Sequence, residues 1–593
     1  MPKKLFLSAN EAVALAARHA GCRVAAAYPG TPSTEILENV AKFKSAPYFE
    51  WAVNEKVAME VVVGAALAGG RALTAMKHVG LNVAMDPLMT ATYVGVLGGL
   101  VIVTADDPGM HSSQNEQDNR VLAKFARCPT FEPSDSQEAF DMALAAFDLS
   151  EETGAPAILR LTTRTSHTSG VVVVPDEEGG VRPLKEYVKD IRRTVPVPAH
   201  SRGMRLAAEE RTKKLAAVSE ASRFNTEIEG KRDVSFVASG VAFQYVREVF
   251  PECAVLKLGM SWPLPIEKIR AFAAKAGRLV VVEESDPVIA DGIRAAGIPV
   301  PETKTELHML ELNPMRLAAL RAELEGKEPP AAAPAAADVP ARPPVLCAGC
   351  SHRGVFHVLS KLKATVTGDI GCYTLGAFPP LSAMDSTICM GAAIGNALGM
   401  RKAGHPNKRI AAVLGDSTFF HSGMTGLLDM AYNGGDVTLV VMDNRITAMT
   451  GHQDNPGTGR TLMGAPAKEA RIADIARACG IEKVFEVDAY DLKALESTLK
   501  ECLDGSGPAV VVAIGPCVIN KKLVGKNPRK VDAAKCVACG TCFRLGCPAI
   551  HRGEPAGADG KRFKAAVDPA MCSGCTLCEQ VCPRGAFGPA EQA

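Results

Sequence analysis

Eight cysteines between residues 536 and 582 constrain this chain more than any other feature: Cys536-x2-Cys539-x2-Cys542-x4-Cys547-Pro548, then Cys572-x2-Cys575-x2-Cys578-x3-Cys582-Pro583. A hydrophobic core does not need cysteines at short fixed spacing, whereas a metal centre does, because one tight loop must aim several thiolates inward. The second run has the spacing that binds a [4Fe–4S] cluster, in which three cysteines come from one loop and the fourth ligates the other cluster. That rule predicts crossed pairing. Cys536, Cys539 and Cys542 would hold one cluster with Cys582, and Cys572, Cys575 and Cys578 the other with Cys547. Zinc is the alternative, since two CxxC pairs can supply four thiolates, but zinc ribbons do not twice add a third cysteine and a Cys-Pro. The first run has four residues before its Cys-Pro where the common pattern has three, so a wider loop is expected.

A chain of 593 residues implies several domains. Lysine plus arginine (66) balances aspartate plus glutamate (65), so the charge gives no reason to expect nucleic acid or an anionic membrane as partner. The start, MPKKLFLSANEAV, has no long apolar stretch, and no later segment gives an uncharged apolar run of about 18 residues. The expectation is a soluble cytoplasmic protein. The cysteines, 18 in all, cluster at metal-ligand spacings, which suits a reducing compartment.

Alternating strand and helix patterns over residues 1–175 predict a parallel α/β domain. Ser8 and Glu11 form a capping box ahead of a helix over Ala12–Ala20, and strands are expected at Val24–Tyr28, Tyr48–Val53, Ala72–Met76 and Leu100–Ala105. Residues 176–230 read as a charged connecting segment. Strands at Val234–Ala238, Ala254–Leu258 and Leu279–Val282 predict a smaller α/β domain over 231–325, and 326–344 is a Pro/Ala-rich linker. A third α/β domain covers 345–525, and the cysteine-rich domain covers 527–593.

In the third domain, a strand over Ile410–Leu414 delivers Gly415-Asp416-Ser417. A helix over Gly423–Tyr432 follows, and a strand over Val437–Met442 ends in Asp443-Asn444-Arg445-Ile446. Ligands of open parallel sheets bind outside the strand carboxyl ends. Magnesium prefers about six oxygens, with few from protein and the rest from phosphate and water. The Asp416 carboxylate, the Asn444 amide oxygen and the Ile446 carbonyl would supply three, and Gly415 would let a phosphate approach the backbone. The alternative is a helix cap followed by a turn.

This arrangement resembles the Gly-Asp…Asn motif of thiamine diphosphate enzymes. Such enzymes need a glutamate against the cofactor's aminopyrimidine to drive proton transfer. Glu55, after a strand and at the first turn of an apolar helix, is the candidate, with Glu50 and Glu60 as rivals. Its alternative role is a carboxylate set against the helix dipole behind an Asn54 cap.

Taken together, the chain resembles the 2-oxoacid:ferredoxin oxidoreductase superfamily, in its indolepyruvate branch. The residues that carry this are Tyr28-Pro-Gly-Thr31-Pro-Ser, Asn54-Glu55-Lys, Cys347-Ala-Gly-Cys350-Ser-His, Gly368-Asp-Ile-Gly-Cys372-Tyr, Met390-Gly391, Gly415-Asp416-Ser, Asp443-Asn444 and the terminal cysteine runs. The resemblance implies two thiamine-diphosphate-binding parallel α/β domains, a transketolase-C-terminal-like α/β domain, and a bacterial-type ferredoxin domain with two [4Fe–4S] clusters. It also implies Mg2+ and a reaction in which a 2-oxoacid, CoA and oxidised ferredoxin give an acyl-CoA, carbon dioxide and reduced ferredoxin. The indolepyruvate label points to aryl 2-oxoacids; aromatic residues are only 5% of the chain, and no aryl pocket can be read from them.

Thr31 would contact substrate by the same resemblance, or else cap a helix beginning at Pro32; His111 is set aside as a solvated loop histidine. Relatives carry a further domain, so a separate small β subunit is expected, in an αβ or α2β2 assembly. Cys347, Cys350, Cys372 and Cys517 match positions that hold a proximal cluster in relatives and are candidates for a third. Cys22, Cys128, Cys253, Cys389, Cys479 and Cys502 are expected to be small buried hydrophobes. Competing readings are the same chemistry on a different 2-oxoacid, a non-oxidative thiamine enzyme with structural clusters, and an electron-transfer subunit with vestigial α/β domains.

Overall fold

The computed structural model describes residues 2–43, 48–176, 182–301, 308–330, 343–556 and 561–590. Most of the expected Pro/Ala-rich linker, residues 331–342, lies outside the described residues. The chain forms two compact units, Met1–Ala337 and Asp338–Ala593.

The first unit opens with an edge strand, Lys3–Ser8, paired antiparallel with Ser169–Val174. Ser8 accepts from the Glu11 amide, the Glu11 carboxylate accepts from the Ser8 amide, and the helix Ala9–His19 follows this closed capping box. The main sheet has seven strands. Their spatial order is Met260–Trp262, Thr130–Phe131, Ala157–Thr162, Leu100–Asp106, Ala72–Lys77, Val24–Ala27, Tyr48–Trp51. All neighbours are parallel except the first pair. Strand order reverses between Val24–Ala27 and Ala72–Lys77, because the chain leaves the first toward one edge and the second toward the other. This is the switch point at which such sheets open a crevice.

The antiparallel edge strand is drawn from the segment predicted to belong to the smaller domain. It was illegible because three residues, Met260-Ser-Trp262, are too short for a period-2 pattern. That smaller sheet has the order Arg278–Val282, Lys231–Ser239, Cys253–Leu258, Asn225–Ile228, the last strand antiparallel. The connecting segment supplies this last strand and the long helix Pro198–Ala221.

A buried ion network lies within the first unit. Arg120, 2% exposed, donates to Asp118 and Glu283 (2.7 Å) and to the carbonyls of Glu284 and Asp286. Arg160 donates to Asp106 (2.7 Å) and Glu132 (2.8 Å). Burial pushes the Asp118 carboxyl up, but the two arginines outweigh it and leave it lowered to about 2.

The second unit is built on a six-stranded, wholly parallel sheet. The order is Ser386–Thr387, Thr365–Gly368, Ile410–Gly415, Thr438–Asp443, Ala509–Ile514, Lys483–Asp488. The three central strands (IAAVLG, TLVVMD, AVVVAI) are apolar almost throughout, as burial on both faces requires. Val413, Val440 and Val511 pack on one face, and Leu414, Leu439 and Val510 on the other. Order reverses between Thr365–Gly368 and Ile410–Gly415. Two antiparallel pairs, Arg529–Val531 with Phe587–Pro589 and Ile550–Ala556 with Arg562–Val567, frame the terminal cysteine module. No helix among the described residues is long and apolar enough to cross a membrane.

Candidate active site

In the second unit the switch point is acidic. Asp416 follows the strand Ile410–Gly415, and the chain turns helical at once: Asp416–Thr418, a π turn over Phe419–Gly423, then Met424–Tyr432. The helix therefore starts seven residues earlier than the sequence pattern indicated, and π turns of this kind favour functional sites. Asp416 is 3% exposed and accepts from the Ile446 amide (3.1 Å) and from Asn455 Nδ2 (3.0 Å). Burial, with Asp443 adding to it, pushes its carboxyl up to about 7. Among the described residues it has no ion-pair partner. Asn444 Oδ1 also accepts from the Ile446 amide (3.2 Å), and Arg445 between them takes a left-handed φ of 62° that turns the loop toward Asp416. Ser417 and Thr447 join by a hydroxyl bond of 2.8 Å across the same crevice.

Gly415 has a steric reason to be glycine besides the one expected. A Cβ there would lie 2.8 Å from the Tyr373 ring, so the space is held by a side chain of this unit. Tyr373 donates to Asp369, a second buried carboxyl, which burial pushes up to about 7. Asp369 also accepts from the Gly391 amide (2.9 Å), and Gly391, at φ 84°, could not carry a Cβ without meeting Ser422 at 2.6 Å. Met390 beside it is half-buried. Asp369, Tyr373 and Asn455 were absent from the predicted site. Asp369 and Tyr373 lay inside a motif already singled out, but nothing in the sequence signals Asn455.

In the first unit, Asn54 caps the helix Glu55–Leu67 through its side chain, as the alternative reading of that turn anticipated, and Glu55 is 5% exposed against Gly80. Glu50 is bonded to Tyr48, and Glu60 is solvent-exposed and ion-paired with Lys56. Both rivals are therefore engaged elsewhere. Thr31 does not cap a helix: the next one begins at Thr34, with Ser33 before it. Thr31 stands half-buried at the sheet's switch point. His111 is exposed on its loop and paired with Glu311 (3.2 Å).

The terminal cysteines ring two hollows. Cys547, Cys572, Cys575 and Cys578 line one of ≈ 420 Å³, and Cys536, Cys539, Cys542 and Cys582 line another of ≈ 360 Å³. Burial pushes the Cys578 thiol up to about 12, and the neighbours adding to this are Cys575, Cys572 and Cys547. For Cys542 they are Cys536, Cys539 and Cys582, after burial itself, leaving it at about 11. Among the described residues no group of three or more His, Cys, Asp or Glu side chains could hold a metal ion as it stands.

A third group forms beside Asp416. Burial raises the Cys350 thiol to about 12 with Cys347 and Cys372 adding to it, and Cys372 to about 11 with Cys347 and Cys517 adding to it. The Cys517 amide donates to the Asn444 carbonyl (3.0 Å), and its sulfur lies 3.6 Å from His452 Nε2. Gly349, from the Cys347–Cys350 loop, and Arg353, from the helix His352–Lys361 that follows it, line the larger hollow. Among the other cysteines, Cys22, Cys128, Cys253 and Cys502 are buried as expected, Cys479 is half-buried, and Cys389 is exposed because its loop, Ile388–Met390, covers no core.

Comparison with known proteins follows the same division. Residues 15–222 match the family described as pyruvate flavodoxin/ferredoxin oxidoreductase, thiamine diphosphate-binding; 369–513 match the C-terminal binding domain of thiamine pyrophosphate enzymes; 565–587 match a 4Fe–4S binding domain. The chain is 41% identical to the indolepyruvate oxidoreductase subunit IorA of Archaeoglobus fulgidus over 99% of its own length and 98% of that protein's. It is 42% identical to the IorA subunit of Pyrococcus abyssi, over 99% and 97%. The chain belongs to the IorA family. It is thus an α/β enzyme subunit of the 2-oxoacid:ferredoxin oxidoreductase class, with thiamine diphosphate and 4Fe–4S binding domains. A 2-oxoglutarate synthase subunit KorA from Methanothermobacter thermautotrophicus is 25% identical over 48% of the chain and 88% of its own length.

Proposed function

We propose that this IorA-family chain is the large subunit of an enzyme that oxidatively decarboxylates aryl 2-oxoacids, indolepyruvate among them, with CoA, giving arylacetyl-CoA, carbon dioxide and reduced ferredoxin. The observation that carries the oxidative reading is the succession of cysteine groups. One is tied to the Asn444 loop by the Cys517 amide, the next hollow is lined by that group's own loop, and the last includes the exposed Cys539. A staple holding a fold together needs no such succession; removal of electrons one at a time does. The crossed sets at the terminus and the third set of Cys347, Cys350, Cys372 and Cys517 are each assigned a [4Fe–4S] cluster. The thiolates of a cluster must be deprotonated, so binding iron would release protons from the thiols that burial raises, Cys350, Cys372, Cys542, Cys575 and Cys578.

Asp416, Asn444 and the Ile446 carbonyl fit a magnesium diphosphate. Asp416 is a buried carboxyl that makes no ion pair among the described residues, which is the state a divalent cation relieves. Gly415, Ser417, Met390 and Gly391 would complete the diphosphate cradle. Bound thiamine diphosphate would supply the nucleophile and the electron sink for decarboxylation. Glu55, buried at its helix start, would hold the proton at the pyrimidine ring, and Thr31 would meet the substrate. A separate small β subunit in an αβ or α2β2 assembly, ferredoxin as acceptor and a cytoplasmic setting belong to the same reading.

The test is the Glu55→Gln variant of the complete enzyme. Viologen dye reduction driven by an arylpyruvate should fall by about two to four orders of magnitude while thiamine and iron contents stay at the wild-type level. Near-normal turnover removes Glu55 from the mechanism, and a wild-type enzyme that reduces no dye refutes the oxidative reading. Iron on the order of twelve atoms per anaerobically purified chain is expected for three clusters, and on the order of eight, unchanged by Cys350→Ala, would remove the third.

A further inference from the structure

At the switch point of the N-terminal sheet, one charged group is left uncommitted. Lys77 closes the strand Ala72–Lys77 directly across the order reversal from the Tyr28–Thr31 loop. Its aliphatic stem packs on Gly30, where an added Cβ would lie 3.3 Å from Lys77 Cγ. Its ammonium donates to the Ser112 carbonyl at 3.0 Å and makes no ion pair among the described residues. The other charges nearby are engaged. Asp107 accepts from the Ser112 amide (2.8 Å), Ser113 Oγ (2.6 Å) and Thr163 Oγ1 (2.7 Å). His111 and Arg164 share Glu311, and His167 faces Glu35. Glu55 and Asp107 are near enough to Lys77 to act on its charge, and the larger influence, burial, disfavours that charge.

An ammonium has three donors and no acceptor. Here one is used by a neutral carbonyl, so an anion arriving at the crevice would meet a partly desolvated cation already aimed by its stem. The position lies within electrostatic reach of Glu55, the group assigned above to the cofactor's reactive ring. We propose that Lys77 binds the carboxylate of the 2-oxoacid, orienting its keto carbon for attack, with Thr31 on the facing loop. This deepens the proposed function and rests on it. Glu55 sets where proton transfer occurs, and Lys77 sets which end of the substrate faces that point. The residue would select 2-oxoacids over the corresponding aldehydes and esters, which lack the anion.

The experiment uses the complete, thiamine-loaded enzyme as wild type, Lys77→Met and Lys77→Arg. Binding of phenylpyruvate and of 3-phenylpropionate, which has the carboxylate without the keto group, is measured by calorimetry alongside dye-coupled kinetics. Lys77→Met should weaken binding of both acids and raise KM by about 10- to 100-fold, the equivalent of one charge-assisted hydrogen bond, with kcat affected less and thiamine content unchanged. Lys77→Arg should recover most of the affinity. Equal binding of both acids by wild type and Lys77→Met overturns the assignment, as does a fall in kcat with KM and both affinities unchanged. If Lys77→Met loses thiamine or fails to fold, Lys77→Arg decides: affinity no better than that of the wild type's uncharged ester analogue overturns it. Carboxylate binding that depends on Lys77 in an enzyme that reduces no dye keeps the Lys77 site and removes the oxidative reading instead.

Discussion

The two large sheets reverse strand order in the same manner, but a lysine stands at the first reversal, with Glu55 and Asp107 in reach of it, and two buried aspartates stand at the second. The N-terminal crevice presents Lys77 beside Gly30 and Thr31, while the C-terminal one presents Asp369 and Asp416. The treatment of buried acids differs as well. In the first unit Asp106, Asp118, Glu132 and Glu283 are gathered around Arg120 and Arg160, so the fold supplies its own counter-charges. In the second, Asp416 has amide donors and the field of Arg445 but no ion pair among the described residues, and three sets of thiols gather. The difference is one of partners: most of the first unit's buried acids share two guanidinium groups, although Glu284 there is also raised to about 7 by burial, whereas Asp416 makes no ion pair among the described residues.

The largest expected effect tests the first half of that contrast. Arg120→Met leaves Asp118 and Glu283 buried without their principal partner and should cost the first unit about 3–5 kcal/mol, read from the denaturant midpoint of its transition. A loss below about 1 kcal/mol would mean that the network is not what neutralises these acids. The second unit should answer in the opposite direction. Because the Asp416 carboxyl is raised, the folded metal-free protein binds the proton more tightly than the unfolded chain. Its contribution is full below pH 4 and is lost as pH rises to about 7. Asp416→Asn should therefore be more stable than wild type in metal-free protein at pH 8, by up to about 4 kcal/mol, with little difference at pH 4. Magnesium with thiamine diphosphate should stabilise wild type and not the variant. Equal destabilisation at both pH values would erase the distinction between the sheets. The smallest effect gives the scale: Ser8→Ala opens the capping box and should cost the first unit about 1 kcal/mol with no change in cofactor binding.

Parallel strands were legible because each is a short apolar run ended by polar residues, and this placed Asp416, Asn444 and Glu55 at their strand ends. The grouping of the terminal cysteines was legible because their short fixed spacing sends several side chains of one loop toward one point, and they line two hollows. What escaped depends on strand order and on loops. Lys77 gains significance only once Val24–Ala27 is known to lie beside Ala72–Lys77, and periodicity carries no information about neighbours. Asn455 reaches Asp416 across 39 residues of chain. The alternative reading of Thr31, a cap suggested by its residue type and the proline after it, falls because the helix begins three residues later, at Thr34.

Each of two short helices in the terminal module serves both hollows. Thr541–Leu545 carries Cys542 toward one and leads into Cys547 at the other; Leu577–Val581 carries Cys578 toward the second and leads into Cys582 at the first. Damage to one thiol is therefore not confined to one hollow. A sulfinic acid formed at exposed Cys539 would disturb the loop that leads into the Cys542 helix, and through that helix the position of Cys547 at the other hollow.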